Sequence, residues 1–208
     1  MKKFIINKIL NYIYEHKEYT DIEKDMIKYG ISNLYLQISK MIVITCIAII
    51  LNIVIPYLLF IFFYNIIRAT SFGLHAKKSY QCWISSMIFF IGLPFISKYI
   101  VINNLVKTTI LIFVIIYIAI YSPADTVKRP IVSINRRLFY KYASTLISIV
   151  YSVICLYIKD QMVSNIILFS LTLQCIIISP ITYKIFGMTY DNYKEYKREE
   201  ELVCLQES

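Results

Sequence analysis

Charge is missing from long tracts of this sequence, and the absence decides its class. No residue between Lys40 and Arg68 is charged, and similar gaps separate Lys78 from Lys98, Lys107 from Asp125, and Asp160 from Lys184. A helix needs roughly 20 mostly apolar residues to cross the hydrocarbon layer of a bilayer. Hydrophobic residues make up 58% of the 208, against about 45–50% in an ordinary soluble domain. Too little polar surface remains for a separate soluble domain. The expected fold is all-α and polytopic. It has about six membrane-embedded helices, some of them short or re-entrant, and an amphipathic N-terminal helix at the interface.

Other absences narrow the chemistry. There are two histidines, His16 and His75. The five cysteines, Cys46, Cys82, Cys155, Cys175 and Cys204, are scattered. No two share a disulfide or metal-site spacing, and an odd count in a protein facing the cytoplasm predicts free thiols. No metal and no cofactor are expected. No RNA-binding motif is present, so the net charge of +9 is assigned to cytoplasmic loops and anionic lipid heads, not to nucleic acid. The N-terminus lacks the long apolar core and small-residue cleavage site of a signal peptide. Neither repeats nor low-complexity tracts occur.

Along the chain, Phe4, Ile5, Ile6, Ile9, Leu10, Ile13 and Tyr14 recur at helical spacing, while Lys2, Lys3, Lys8 and Glu15 can face water. That pattern suits a helix lying in the interface; a helix packed against its neighbours is the alternative. Thr20 and Glu23 in "TDIE" form a capping box that starts a second helix. The crossings are read as Leu34–Ile53, Ile55–Gly73, Trp83–Val101, Asn104–Tyr121, Tyr142–Ile158 and Ser164–Tyr183, with a hairpin near Asn52 and Pro56 between the first two. Charge chooses the hairpin over one long helix. With six crossings, one side collects Lys77, Lys78, Lys128, Arg129, Arg136, Arg137, Lys141 and the charged tail, and the other holds little beyond Lys107, Lys159 and Asp160. The basic side is the cytoplasm, so both termini are placed there, in a multi-pass protein of the cell membrane. The chain is a single membrane-embedded domain, with amphipathic helices over 1–33, membrane helices over 34–183 and a cytoplasmic tail over 184–208.

Two polar stretches then face the cytoplasm. One is "FGLHAKKSYQCW", Phe72 to Trp83, with Arg68 just before it. The other is "YSPADTVKRPIVSINRRLFYK", Tyr121 to Lys141, where five cations (Lys128, Arg129, Arg136, Arg137, Lys141) stand against Asp125. In the first stretch Ser79 is an expected N-cap, which places Cys82 near the positive end of the next helix. Unpaired N–H groups there, with Arg68, Lys77 and Lys78, favour a thiolate. His75 is the candidate base. Seven residues of unbroken helix span about 10.5 Å, too far for a hydrogen bond, so His75 must sit on a loop that folds back, with Gly73 supplying the backbone freedom. Against this, a lone cysteine at a helix start is ordinarily a small hydrophobe, and one His with one Cys leaves a tetrahedral metal site half empty.

Arg68, four residues, Gly73, one residue, His75–Ala76, six residues and Cys82, followed by "YSPADTVKRPI" at Tyr121 to Ile131, resemble the AgrB family, the accessory gene regulator protein B of Gram-positive bacteria. The resemblance covers nearly the whole chain. It implies a membrane-embedded cysteine endopeptidase of quorum sensing, with His75 and Cys82 catalytic. Its expected substrate is a signal-peptide precursor with an amphipathic leader and an acidic C-terminal tail. The enzyme removes that tail, holds the rest as a thioester and passes it to an internal nucleophile, giving a cyclic (thio)lactone. A homodimer in the lipid bilayer is implied. Arg68, Gly73, Lys77, Lys78, Lys128 and Arg129 are the expected substrate-binding or supporting residues. Ser79, Gln81 and Asp125 are within reach as a third catalytic group. The competing reading is a small non-enzymatic peptide exporter or membrane scaffold. The scarcity of ionisable groups inside the spans argues against an ion-coupled carrier.

Overall fold

The computed structural model describes residues 2–16, 19–74, 79–126 and 131–194. They are almost entirely helical. Six helices are long and apolar enough to cross a membrane: Asp21–Ile50, Val54–Ser71, Tyr80–Tyr99, Asn104–Tyr121, Ile134–Tyr157 and Gln161–Ile178. This is a multi-pass membrane protein. The chain divides into two compact units, Met1–Asn52 and Ile53–Ser208.

In the first unit, α1 (Lys2–His16) packs against α2 (Asp21–Ile50). Ile6 and Leu10 are buried while Ile9 and Tyr12 are exposed. The Tyr14 hydroxyl donates to the Lys24 carbonyl at 3.1 Å. The capping box forms as expected: the Glu23 amide donates to Thr20 Oγ1, and the Thr20 amide donates to the Glu23 carboxylate at 2.9 Å. With its first N–H groups satisfied, α2 runs without a break through the first apolar tract. It ends at Ile50, and Asn52 turns the chain with φ 53°. The break is therefore where the charge pattern required one. Pro56 lies not in the turn but in the first turn of the next helix, where its missing N–H costs nothing.

The second unit is built around one helix. The elements are α3 (Val54–Ser71), α4 (Ser79–Met87), a π-helical turn (Ile88–Gly92), α5 (Leu93–Tyr99), α6 (Asn104–Tyr121), α7 (Ile134–Tyr157), α8 (Gln161–Ile178) and α9 (Pro180–Ile185). Helix α8 packs against α3, α5, α6 and α7. Its buried residues are mostly apolar: Ile166, Ile167, Leu168, Leu171, Leu173 and Ile178 are all buried. Ile67 of α3, Leu111, Val114 and Ile118 of α6, and Tyr151 and Cys155 of α7 complete that core. On α7, Ser144, Ser148 and Ser152 recur every fourth residue and are buried. Ser152 satisfies its hydroxyl on the carbonyl one turn back. Small residues on one stripe let helices approach closely in lipid, where packing replaces hydrophobic drive.

Two readings of the sequence need correction. Lys107 is not an outer-loop charge. It lies inside α6 and is only 1% exposed, and its ammonium donates to Gln161 Oε1 at 2.9 Å and Ser164 Oγ at 2.7 Å. The run Ser164–Tyr183 is not one crossing: α8 stops at Ile178, Ser179 caps Ile181 at 3.3 Å, and Pro180 opens α9. A proline tolerates only the first turn of a helix, so it marks a restart.

Candidate active site

Arg68 stands in the last turn of α3. The helix ends because Phe72 adopts φ 55°, ψ −134° and Gly73 follows at φ +114°, conformations in which the helical ladder cannot continue. The chain then lies alongside the start of the second polar stretch. The Ala124 amide donates to Ser71 O at 3.0 Å, and the Gly73 amide donates to Ala124 O at 2.8 Å, forming a short parallel bridge. The two stretches that sequence reading placed on one face are therefore stitched by backbone.

Every backbone polar group from Phe72 to Leu74 is engaged. The amides of Phe72, Gly73 and Leu74 donate to Arg68 O, Ala124 O and Ile177 O. The three carbonyls accept from side chains. Gln174 Nε2 donates to Phe72 O at 2.8 Å, and Arg68 Nη2 donates to Gly73 O at 3.3 Å and Leu74 O at 2.7 Å. The guanidinium thus folds back over the segment its own helix leads into. Gly73 has two reasons to be glycine. Its φ is positive, and a Cβ there would lie 2.9 Å from Arg68 Nη1 and 2.9 Å from Ile177 Cγ2. The Phe72 ring packs edge-on to Tyr140, centroids 4.8 Å apart.

Cys82 is half-buried in the first turn of α4. The helix begins at Ser79 itself, one residue earlier than an N-cap at Ser79 would give, and the thiol still sits at the positive end of the helix dipole. The Tyr64 hydroxyl, one turn before Arg68 on α3, lies within electrostatic range of both the Arg68 guanidinium and the Cys82 thiol. Farther along, Phe90 of the π-helical turn packs edge-on to Phe60 and Tyr64, with centroids 5.7 and 5.4 Å apart. These contacts seat the π-helical turn that follows α4 against α3. His75, Lys77, Lys78, Lys128, Arg129 and Cys204 lie outside the described residues. Of the expected site residues, Arg68 and Gly73 are in contact, with Cys82 close to the same end of α3. Residues 72–74 are not helical; the folded-back loop expected at His75 itself lies outside the described residues. Among the described residues, no group of three His, Cys, Asp or Glu side chains could hold a metal ion.

Asp125 anchors the start of the tail. It is 2% exposed, and its carboxylate accepts the amides of Asn192 at 3.2 Å and Tyr193 at 3.0 Å. Arg137 lies 3.7 Å from it, bridges on to Asp191 at 3.5 Å, and stacks on the Tyr193 ring at 3.7 Å. Tyr183 and Tyr190 donate to the Asp125 and Tyr121 carbonyls at 3.0 and 3.1 Å. Burial pushes the Asp125 carboxyl above the usual carboxylate range, against the opposing pull of the Tyr193 N–H and Arg137. The start of the tail is therefore packed, with Asn192 buried, not solvated.

Sequence reasoning missed Gln174 and Tyr64 as parts of this region and counted Arg137 only as a loop cation. Gln174 did leave a trace, as an amide deep in a largely apolar spanning helix, where polar groups are costly.

The family model described as accessory gene regulator B matches residues 6–178. The chain belongs to the AgrB family. It is 29% identical over 184 residues to an AgrB-like protein of Clostridium acetobutylicum, covering 88% of each chain. It is also 30% identical over 179 residues to the accessory gene regulator protein B of Staphylococcus aureus (86% of this chain, 93% of the other). An AgrB-like protein of Listeria innocua is 28% identical over 171 residues, 82% of this chain and 84% of its own. No solved structure matches. Membership in AgrB places the protein in quorum-sensing peptide processing.

Proposed function

We propose that the protein is a membrane cysteine endopeptidase that trims the C-terminal tail from a signal-peptide precursor and cyclises what remains. The observation that carries this reading is the seat of Cys82. The thiol occupies the first turn of a spanning helix, near the Arg68 end of α3, while the chain leading to His75 is tied at every backbone group through Leu74.

The steps follow from that seat. His75 takes the proton of Cys82, and the thiolate attacks the scissile carbonyl. As the C–N bond breaks, the imidazolium returns the proton to the leaving amine, and the tail departs. A thioester joins the peptide to Sγ. A thiol or hydroxyl within the same peptide then attacks that carbonyl, forms the ring and expels the Cys82 thiolate, which is reprotonated by the proton His75 removed from the attacking group. Tethering gives the internal nucleophile a high effective concentration, and a site at the membrane surface limits competing water. Lys77, Lys78, Lys128 and Arg129 attract the acidic tail, an effect that weakens with salt. The excess of lysine and arginine in these loops supports a cytoplasmic position for this end of the bundle and for both termini, and two copies act together as a homodimer.

The test is cleavage of a co-expressed precursor bearing an acidic tail. Replacing Cys82 with Ser or Ala, or His75 with Ala, is expected to abolish tail removal while the protein still inserts. Processing that survives loss of Cys82 would overturn the peptidase reading in favour of an exporter or scaffold.

A further inference from the structure

Helix α8 contributes one polar contact to the candidate site that no motif predicts. Gln174 is 0% exposed in a spanning helix, yet only half of its amide is used. Nε2 donates to Phe72 O at 2.8 Å, across 102 residues of sequence. Oε1 is buried with no hydrogen-bond partner among the described residues. A buried amide with an unsatisfied acceptor lowers stability relative to an apolar side chain of the same size. Packing alone does not call for glutamine here, and what the residue supplies is its donor.

The acceptor of that donor is unusual too. Phe72 is a non-glycine residue at φ 55°, ψ −134°, a backbone state that persists only where the surroundings hold it. Gln174 fixes the direction of its carbonyl. One helical turn on, the Ile177 carbonyl accepts the Leu74 amide at 3.3 Å. The same face of α8 therefore grips the segment at Phe72 and at Leu74, immediately before His75.

We infer that Gln174 is a positioning residue: by holding the Phe72 carbonyl it sets where the imidazole of His75 meets the thiol of Cys82. This rests on the reading of those two residues as base and nucleophile. Asn165 supplies an internal control. It lies on the same helix, is equally buried and also has an unpartnered side-chain oxygen, but its amide donates to Ile100 O at 2.7 Å and Ser97 O at 3.3 Å, around the end of α5.

The experiment is the pH dependence of Cys82 alkylation by iodoacetamide in the full chain, in lipid nanodiscs, with Cys46 and Cys204 replaced by Ser. His75→Ala defines the profile without the base. Gln174→Met keeps volume and removes the donor. It is expected to slow alkylation near pH 7 by about tenfold and to move the profile to that of His75→Ala. Gln174→Glu is expected to keep the parent profile, because a carboxyl buried in this setting stays protonated and still donates. Asn165→Met is expected to leave the profile unchanged at a matched melting temperature. Should Gln174→Met not insert, Gln174→Asn, which retracts the donor by one methylene, is read in its place. A parent profile in the Met variant overturns the inference, as does an equal defect in Gln174→Glu or in Asn165→Met. If His75→Ala itself leaves the profile unchanged, the Cys–His pair falls, and the positioning role with it; a shift in His75→Ala beside a parent profile in Gln174→Met sinks the positioning role alone.

Discussion

Replacing Gly73 with alanine tests the geometry of the site most directly. The added methyl meets Arg68 Nη1 and Ile177 Cγ2 at 2.9 Å each and Ile177 O at 3.2 Å, on a backbone at φ +114°. Holding a non-glycine residue in so sparse a region costs about 1–3 kcal/mol, and forcing an extra methyl into a packed site costs about 1–3 more. Relief requires both Arg68 and Ile177 to give way, and Arg68 must move away. That surrenders the charged hydrogen bonds to Gly73 O and Leu74 O, each worth about 1.5–3 kcal/mol, so the escape is no cheaper. The expected loss is roughly 2–6 kcal/mol, a large share of a stability of about 5–15 kcal/mol. At about 2–4 °C per kcal/mol for a chain of this size, that corresponds to a melting temperature lower by roughly 4–24 °C. The assay is thermal unfolding in mild detergent, followed by the fluorescence of the single tryptophan, Trp83, next to Cys82. Two other glycines calibrate it. Gly92 has helical dihedrals and open space around its missing Cβ, so Gly92→Ala is expected to gain about 0.5–1 kcal/mol. Gly187 has φ +59° but open space where a Cβ would sit, so Gly187→Ala carries only the backbone cost, about 1–2 kcal/mol. If the Gly73 and Gly92 variants melt together, the crowding argument is refuted.

Ser164→Ala removes an acceptor 2.7 Å from the buried Lys107 ammonium and is expected to cost about 1.5–3 kcal/mol; an unchanged denaturation midpoint in detergent would show that this contact does not anchor α6 to α8. Asp125 gives a pH dependence with a definite sign. Its carboxyl is raised by burial, so the native state binds its proton more readily than the unfolded chain does. The stability it contributes is full below the ordinary carboxylate pKa and is lost as pH rises through the raised value. Asparagine does not titrate, so the wild-type advantage over Asp125→Asn is expected to shrink as pH rises above about 4; an advantage that grows with pH would contradict burial as the dominant cause.

Much of the bundle was legible in residue order because lipid is an unforgiving solvent. A tract without charge must be a spanning helix, since nothing else satisfies its backbone there. The distribution of lysine and arginine forced a break near residue 52, where the chain does turn. The Thr20–Glu23 box was readable because capping is a contact between residues three apart. Lys107 misled because a lysine near a predicted helix end reads as a surface charge. Whether it faces out depends on the acceptors that Gln161 and Ser164 present from α8, and sequence position does not reveal them. Asp125 and Arg137 stood in a stretch marked as basic and cytoplasmic, but their pairing with the tail at Asp191, Asn192 and Tyr193 depends on how the chain returns.

By itself, then, the sequence determined the membrane class, a set of about six membrane-embedded helices, and the motif that joins Arg68, Gly73, His75 and Cys82. All of these rest on composition, or on spacing within a few turns of chain. Tertiary structure alone decided that Arg68 turns back to hold two carbonyls, that Ala124 pairs with the Gly73 segment, and that Gln174 reaches Phe72 from α8. Buried polar groups must find partners, and those partners lie wherever packing brings them, which the local order of residues does not encode.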